Sequence, residues 1–298
     1  MLQKQDIQIV SAGSILGLKP SGVEGLPEAL LSNGLLRRIN ALDKIITVEN
    51  YNSLYSFDRD KHTRILNGDA LRKFSIGLYA VIQQLVSSKK FALVLGGDCS
   101  MLIGITSALK ALGTCGLFFI DAHADFYEPE QSTTGEVADM DLAFVTGRGP
   151  DILTNLNDAR PYVKDEHVVH IGQRDMEETR KFNSQEIRST AIKCFDLPTI
   201  REVGVFEILK RIDEHVTTMS ADSFWIHFDT DVLADDINPA VEYRLPGGLS
   251  WDESEMFLKT LINNYPIAGM SVSVFNPKFD PTGKIAEALT SLLTKVLN

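Results

Sequence analysis

The sequence predicts an α/β fold built on a mainly parallel sheet of eight strands, and three observations carry that expectation. Short, wholly apolar runs alternate mostly with segments of helical periodicity, the pattern of a parallel sheet covered on both faces. Two of these runs end abruptly in potential ligands: Leu117-Phe-Phe-Ile-Asp-Ala-His-Ala-Asp125 closes on Asp121, His123 and Asp125, and Phe224-Trp-Ile-His-Phe228 is followed by Asp229 and Asp231. Finally, 298 residues with 44% apolar content can bury one large core, so a single domain over residues 1–298 is expected.

In chain order, Ile7-Gln-Ile-Val10 reads as the first strand, and the Gly, Ser and Pro content of Gly13 to Gly25 reads as loop. A helix begins near Pro27, where a proline and an acidic residue open the first turn. Ile45-Ile-Thr-Val48 is the second strand, and Asn50 to Asn67 is polar and irregular. Asp69 to Leu85 places Leu71, Phe74, Leu78, Val81, Ile82 and Leu85 at helical spacing, which predicts a helix with one face on the sheet. Phe91-Ala-Leu-Val-Leu95 is the third strand, and Gly96-Gly-Asp-Cys-Ser100 turns from it into a helix ending near Leu112. The strand before Asp121 follows, then a long polar loop from Glu128 to Asp141 and a strand at Val168–Ile171. A short strand at Ile192 to Phe195 and a helix from Val205 to Val216 precede the second ligand-bearing strand. Trp251 to Ile262 is helical, Ile267 to Val274 is the last strand, and Ile285 to Leu297 is a closing helix. Sheets of this kind bind ligands outside the carboxyl ends of their strands, where the acids and histidine fall.

The formal charge of −11 is spread along the chain, which argues against nucleic acid or an anionic membrane as partner and for a small-molecule substrate. Three cysteines without a disulfide spacing, no leader-like start over Met1 to Leu18, and no apolar run of membrane length lead to the expectation of a soluble, cytoplasmic protein.

Spacing at i, i+2 and i+4 places Asp121, His123 and Asp125 on one side of an extended segment, the side where a cation would sit. Four carboxylates and one imidazole are hard donors that suit Mn(II) or Mg(II), and so many acids suit two ions, with Asp121 and Asp229 the bridging candidates. Two such ions can hold and activate a bridging water. Cys99 is either a further ligand or a small buried residue. His227 shares the strand face of Asp229, as a shuttle, a supporting group or a hydrogen-bonded structural histidine.

The motifs Gly96-Gly-Asp-Cys-Ser100, Asp121-Ala-His-Ala-Asp125 and His227-Phe-Asp-Thr-Asp231 together resemble those of the arginase, agmatinase and formimidoglutamase (ureohydrolase) family. Ser21-Gly-Val-Glu-Gly25, Ile171-Gly-Gln-Arg-Asp175, Pro246-Gly-Gly-Leu-Ser250 and Asn276-Pro277 extend the resemblance over nearly the whole chain. The resemblance implies a three-layer α/β/α fold, homo-oligomers (trimers or hexamers), and hydrolysis of a carbon–nitrogen bond by a hydroxide bridging two Mn(II). By the same resemblance one metal takes position 99, Asp121, Asp125 and Asp229, and the other takes Asp121, His123, Asp229 and Asp231. Cys99 stands where the family normally has histidine, a change also found in hydroxyarginine hydrolases. As a softer ligand it leaves one occupied site as the alternative to two.

Two further departures bear on substrate. Ala138 stands where arginases place a proton-shuttling histidine, and Val274 where they place the glutamate that pairs with guanidinium. Asp125, Glu136 and His227 are the catalytic candidates, with Asp139 and Asp141 as further acids. Tyr127, Thr134 and Glu177 occupy positions that contact the amino-acid part of the substrate in arginases, and Glu242 is a carboxylate without an assigned place. The expectation is a manganese-dependent hydrolase of a linear, non-peptide carbon–nitrogen bond in a guanidino, amidino, formimino or related compound, and not a true L-arginase. The alternative is a non-catalytic member that binds metal or ligand. A dinucleotide-binding reading is disfavoured, since Gly96-Gly97 lacks the G-x-G-x-x-G spacing.

Overall fold

The computed structural model describes residues 6–42 and 44–298. Eight strands run β1 (Ile7–Ala12), β2 (Ile46–Thr47), β3 (Phe91–Gly96), β4 (Cys115–Ile120), β5 (Val168–Ile171), β6 (Lys193–Phe195), β7 (Ser223–Asp229) and β8 (Ile267–Ser273). They form one sheet in the order β2-β1-β3-β8-β7-β4-β5-β6, and every pairing is parallel. The helices in chain order are α1 (Leu26–Ser32), α2 (Leu35–Arg38), α3 (Gly68–Ser87), α4 (Met101–Leu112), α5 (Asp141–Val145) and α6 (Asp151–Thr154). They continue as α7 (Met176–Lys181), α8 (Leu197–Val203), α9 (Val205–Val216), α10 (Trp251–Asn264) and α11 (Lys284–Leu297).

Strand alternation divides the core into two layers. Ile9, Leu93, Phe118, Ile226 and Val272 face one side and pack with α1, α2 and α8 to α11. Val10, Val94, Leu117, Phe119 and Trp225 face the other and pack with α3 to α6. The result is the three-layer α/β/α arrangement, in which both-face burial explains the unbroken apolar runs.

The chain builds β1 to β3 on one side and then crosses to β4, β5 and β6, so β7 and β8 fill the gap between β3 and β4. The carboxyl ends of β3, β8, β7 and β4 therefore lie side by side, with Asp229 paired to Ser273 and Ile120 to Phe228. This reversal of direction opens the crevice in which such sheets bind ligands.

Two boundaries shift by a residue, at Asp141 and at Val274, and two helices appear that the sequence reading does not assign. Asp141 to Val145 is helix rather than the end of a loop, and all five residues are buried, which removes the polar face that would reveal a helical period. Leu197 to Val203 is also helical, opened by Asp196, whose carboxylate accepts from Thr199 N at 2.8 Å. The last strand stops at Ser273, because Val274 turns to φ 69°. The irregular stretch Asn50 to Asn67 braces the first loop: Asn52 bonds Ile15 and Gly13, Asn67 bonds Leu16, and the Tyr55 hydroxyl donates to the Leu18 carbonyl at 3.1 Å. Among the described residues no helix is long and apolar enough to cross a membrane.

Candidate metal centre

The turn after β3 allows only glycine at position 97, where an added Cβ would lie 1.9 Å from the Ser14 carbonyl oxygen. Next to it, the buried Asp98 accepts from Gly17 N at 3.1 Å and from Ser100 N at 2.9 Å, so its carboxylate ties two loops together and points away from any ligand role. Cys99 is thereby presented at the crevice, its Sγ 2.7 Å from Asp229 Oδ2 and 3.3 Å from Ser273 Oγ. Burial first, and the Asp229 charge second, push its thiol well above the usual range.

The segment after β4 does not stay extended. Strand structure ends at Ile120, and Asp125 takes φ 46°, so Asp121, His123 and Asp125 meet through a bend rather than through strand alternation. The bend is held by acids and a histidine. Asp121 Oδ1 accepts from His123 N at 2.7 Å, Asp231 Oδ1 from Ala122 N at 3.2 Å and Asp175 Oδ2 from Ala124 N at 3.0 Å, while His170 Nε2 meets the His123 carbonyl at 2.7 Å. At β7 the chain turns into a 3₁₀ turn at Thr230–Val232, capped by Asp229, which accepts from Asp231 N at 2.8 Å.

Two groups of donor atoms result, each with all its atoms within 4.8 Å of one another: Cys99, Asp121, His227 and Asp229, and then Asp121, His123 and Asp125. Asp121 belongs to both. His123 Nδ1 lies 2.9 Å from Asp231 Oδ2, while Nε2 faces the Tyr243 carbonyl at 3.1 Å. That carbonyl fixes the ring orientation, leaving Nδ1 toward the acids.

This donor set fits divalent cations. Asp121 Oδ2 is buried without a hydrogen-bond partner. Burial, and then the nearby Asp231 charge, push Asp121 up to about 7. Asp125 and Asp229 are raised well above the carboxylate range by burial and by neighbouring acids. Behind Asp125 lies Asp141, fully buried, with no donor from the rest of the protein and Asp125 as its neighbour for a shared proton. Acids so arranged ionise together only when cations offset their repulsion. Burial opposes charge on His123, yet Asp231 and Asp121 outweigh it and raise the imidazole well above its ordinary value, so cation binding there is coupled to proton release.

His227 is buried, stacks on Phe119 with ring centroids 5.2 Å apart, and places Nδ1 2.8 Å from Ser271 Oγ and Nε2 3.4 Å from Ser273 Oγ. Burial pushes it down to about 3, so it is neutral. Its ring belongs to the first donor group but does not line the cavity in front of it.

That cavity, of about 300 Å³, has Cys99, His123, Asp125, Asp229 and Asp231 on its inner wall. Leu18, Ala138 and Val274 add an apolar patch continuous with Cys99 and Val241. Tyr127, Thr134, Glu136 and Glu242 also line it; Glu177 is exposed on the first turn of α7 and does not, whereas Glu178 does. The Thr134 hydroxyl is already committed, donating to Asp139 Oδ2 at 3.0 Å and accepting from Glu136 N at 3.1 Å.

Sequence reasoning missed two supports. Tyr243 carries no motif signal. Arg174 lay inside the Ile171 to Asp175 motif, and it donates to the Asp231 carbonyl at 2.7 Å and to those of Val232 and Leu233 at 3.2 Å. Arg174→Met frees the Asp231 turn, and metal titration is expected to show roughly tenfold weaker binding; an unchanged affinity would assign the guanidinium to folding alone.

Comparison with known proteins gives a consistent result. The sequence model of the arginase family matches residues 22–297. An arginase of Staphylococcus aureus (strain MRSA252) is 30% identical over 298 residues, covering 98% of this chain and 97% of its own. The solved structure of the Bacillus caldovelox arginase superposes with a TM-score of 0.86 at 26% identity, covering 99% of this chain and 98% of that one. That of the Bacillus cereus arginase gives 0.85 at 25%, covering 99% of each.

Proposed function

Because this chain belongs to the arginase family, we propose that it is a manganese-dependent hydrolase of a linear, non-peptide carbon–nitrogen bond, with two Mn(II) per chain. The observation that carries this reading is that two donor groups share the buried Asp121, directly behind a cavity whose wall carries Cys99, His123, Asp125 and Asp229. By the family resemblance Cys99, Asp121, Asp125 and Asp229 would hold one cation, and Asp121, His123, Asp229 and Asp231 the other; the donor groups differ in placing His227 with Cys99, Asp121 and Asp229, and Asp125 with Asp121 and His123. When bound, the pair would supply Lewis acidity and lower the pKa of a water.

The protein groups then have distinct tasks. Asp125, which lines the cavity, can accept the hydrogen bond and the proton of the attacking water. Ser273, 3.2 Å from Asp229 and within reach of His227, orients the Asp229 carboxylate from behind. His227, absent from the cavity wall, acts through that serine. Glu136 lies outside both donor groups and faces the substrate.

The substrate follows from what the wall lacks. Val274 and Ala138 are apolar members of the wall at the two positions where the resemblance places a guanidinium-pairing glutamate and a proton shuttle. An alkyl side chain does not neutralise a guanidinium, so the reacting group is an amidino, formimino, N-hydroxyguanidino or amide function rather than the guanidinium of L-arginine. Tyr127 and Thr134 narrow and shape the entrance.

Elemental analysis after purification in manganese, paired with ammonia and urea release from guanidino, hydroxyguanidino, formimino and amide compounds, tests the reading. Two metals per chain with turnover is the expected result; one or none with no turnover would favour a non-catalytic binding protein. Cys99→His is expected to tighten the first cation site about tenfold in manganese titrations, and an unchanged occupancy would make Cys99 a packing residue.

A further inference from the structure

The acids on the cavity wall outnumber those that cations would engage. With Asp125, Asp229 and Asp231 assigned to metal, Asp139, Asp175, Glu136, Glu178 and Glu242 remain, and among the described residues no lysine or arginine lines the cavity. Asp175 and Glu242 have both carboxylate oxygens engaged within the protein, and Asp139 has Oδ2 engaged and Oδ1 sealed from solvent without a partner. Asp139 accepts from Ser132 and Thr134, Asp175 from Ala124 N and Gln173, and Glu242 from Asn276 at 3.2 Å, with Lys19 Nζ 3.4 Å away.

Glu136 differs. It is 7% exposed, and its Oε2 accepts from the Tyr243 hydroxyl at 2.6 Å, whereas Oε1 has no protein hydrogen bond among the described residues. Tyr243 is itself fastened at its other end, its carbonyl meeting His123 Nε2 at 3.1 Å, and its backbone holds φ 47°. The Lys19 ammonium lies 4.4 Å from the Tyr243 ring centroid, so the mouth already accommodates one alkylammonium between an aromatic face and a carboxylate. A buried acid with one oxygen anchored and the other without a protein hydrogen bond, on a cavity wall that carries no basic side chain and with the Lys19 charge acting on it only from the mouth, is arranged to receive a cation.

We infer that Glu136, held in place by Tyr243, is the specificity-determining residue for a positive charge at the end of the substrate remote from the cleaved bond, and that the substrate carries an alkylammonium there and no carboxylate. This rests on the proposed hydrolase reading for the word substrate, but the recognition itself is a property of the cavity. Glu136 selects the charge, Tyr243 is a positioning residue, and Glu178, exposed at the rim, adds long-range attraction only.

Whatever head group is hydrolysed at an N-alkyl chain, the product is an amine, so three product-type amines of equal length test the tail. Manganese-loaded protein is titrated, by ligand-detected NMR, with 1,4-diaminobutane, butylamine and 4-aminobutanoate. The diamine is expected to bind at least tenfold more tightly than butylamine, and 4-aminobutanoate more weakly than either. Glu136→Gln should collapse the diamine-to-butylamine ratio to within about twofold of unity, and Tyr243→Phe should reduce it about threefold, while Glu178→Gln leaves it near the wild-type value. That contrast separates a specific site from the general attraction of a chain with net charge −11. Metal content is measured on each variant, and Tyr243→Phe, which keeps the carboxylate, decides should Glu136→Gln lose manganese. Tighter binding of 4-aminobutanoate, or a wild-type ratio in a metal-replete Glu136→Gln protein, would overturn the inference. Absence of turnover across the substrate panel would sink the hydrolase reading alone and leave this binding order standing.

Discussion

Asp121→Asn is expected to empty the metal centre and reduce turnover about a thousandfold or more, equivalent to ~4 kcal/mol of transition-state stabilisation. The reason is position rather than charge count. Asp121 is the residue common to both donor groups, one of its oxygens receives the His123 amide, and the other is buried and unpartnered. Asparagine keeps the size and can still accept from the His123 amide, so the loop should hold while the bridging negative charge is lost. Elemental analysis and a manganese titration check this directly. Full metal content in Asp121→Asn would show that the two donor groups do not share a bridging ligand.

The metal-free protein is expected to lose stability as pH rises from about 4 to about 7, and manganese should abolish that loss. A carboxyl that titrates at 3.8 in the unfolded chain and at about 7 in the folded one destabilises the fold by roughly 1.4 kcal/mol per pH unit between those values, about 4 kcal/mol at most. The sign follows from the raised value: below pH 4 the acid is neutral in both states, and above pH 7 it is charged in both, with the folded state bearing the full burden. Asp125 and Asp229 are raised for the same reasons and act in the same direction. So does His123, whose raised value gives a contribution that is lost as pH increases. Asp231 opposes them only in strong acid. Burial works against its charge, but the His123 and Arg174 charges keep it below the carboxylate range, and the stability it provides is lost as pH falls beneath 4. Chemical denaturation at pH 5 and pH 8 in chelator, repeated with manganese and with Asp121→Asn, measures the effect. A flat profile for metal-free wild type would mean that the acids are not crowded as described.

The two predictions share a cause. Acids that destabilise the empty fold are the same groups that would bind cations, and natural folds give up stability at functional sites in this way. The supports follow the same logic: Arg174 and the Tyr243 carbonyl hold Asp231 and His123 in place from outside the donor groups.

Sequence by itself determined the sheet, its parallel sense and the strand ends at which the potential ligands gather. Buried strands must be apolar throughout, and an abrupt change to Asp, His and Asp after Ile120, or to Asp229 and Asp231 after Phe228, marks a strand's carboxyl end in one dimension. Tertiary structure alone decided how those ends converge. Placing β7 and β8 between β3 and β4 brings Cys99, Asp121 and Asp229 together, although Cys99 and Asp229 are 130 positions apart. It also decided the bend at Asp125, the left-handed turn at Val274 and the hidden helix over Asp141 to Val145, since backbone strain and complete burial leave no periodic trace. Most of all it decided what each acid is free to do. Glu136, Asp139 and Glu242 are all simply acids in the sequence, but partners from Tyr243, Ser132 with Thr134, and Lys19 with Asn276 commit them differently. Those partners come from distant loops, and three-dimensional contact is the only thing that assigns them.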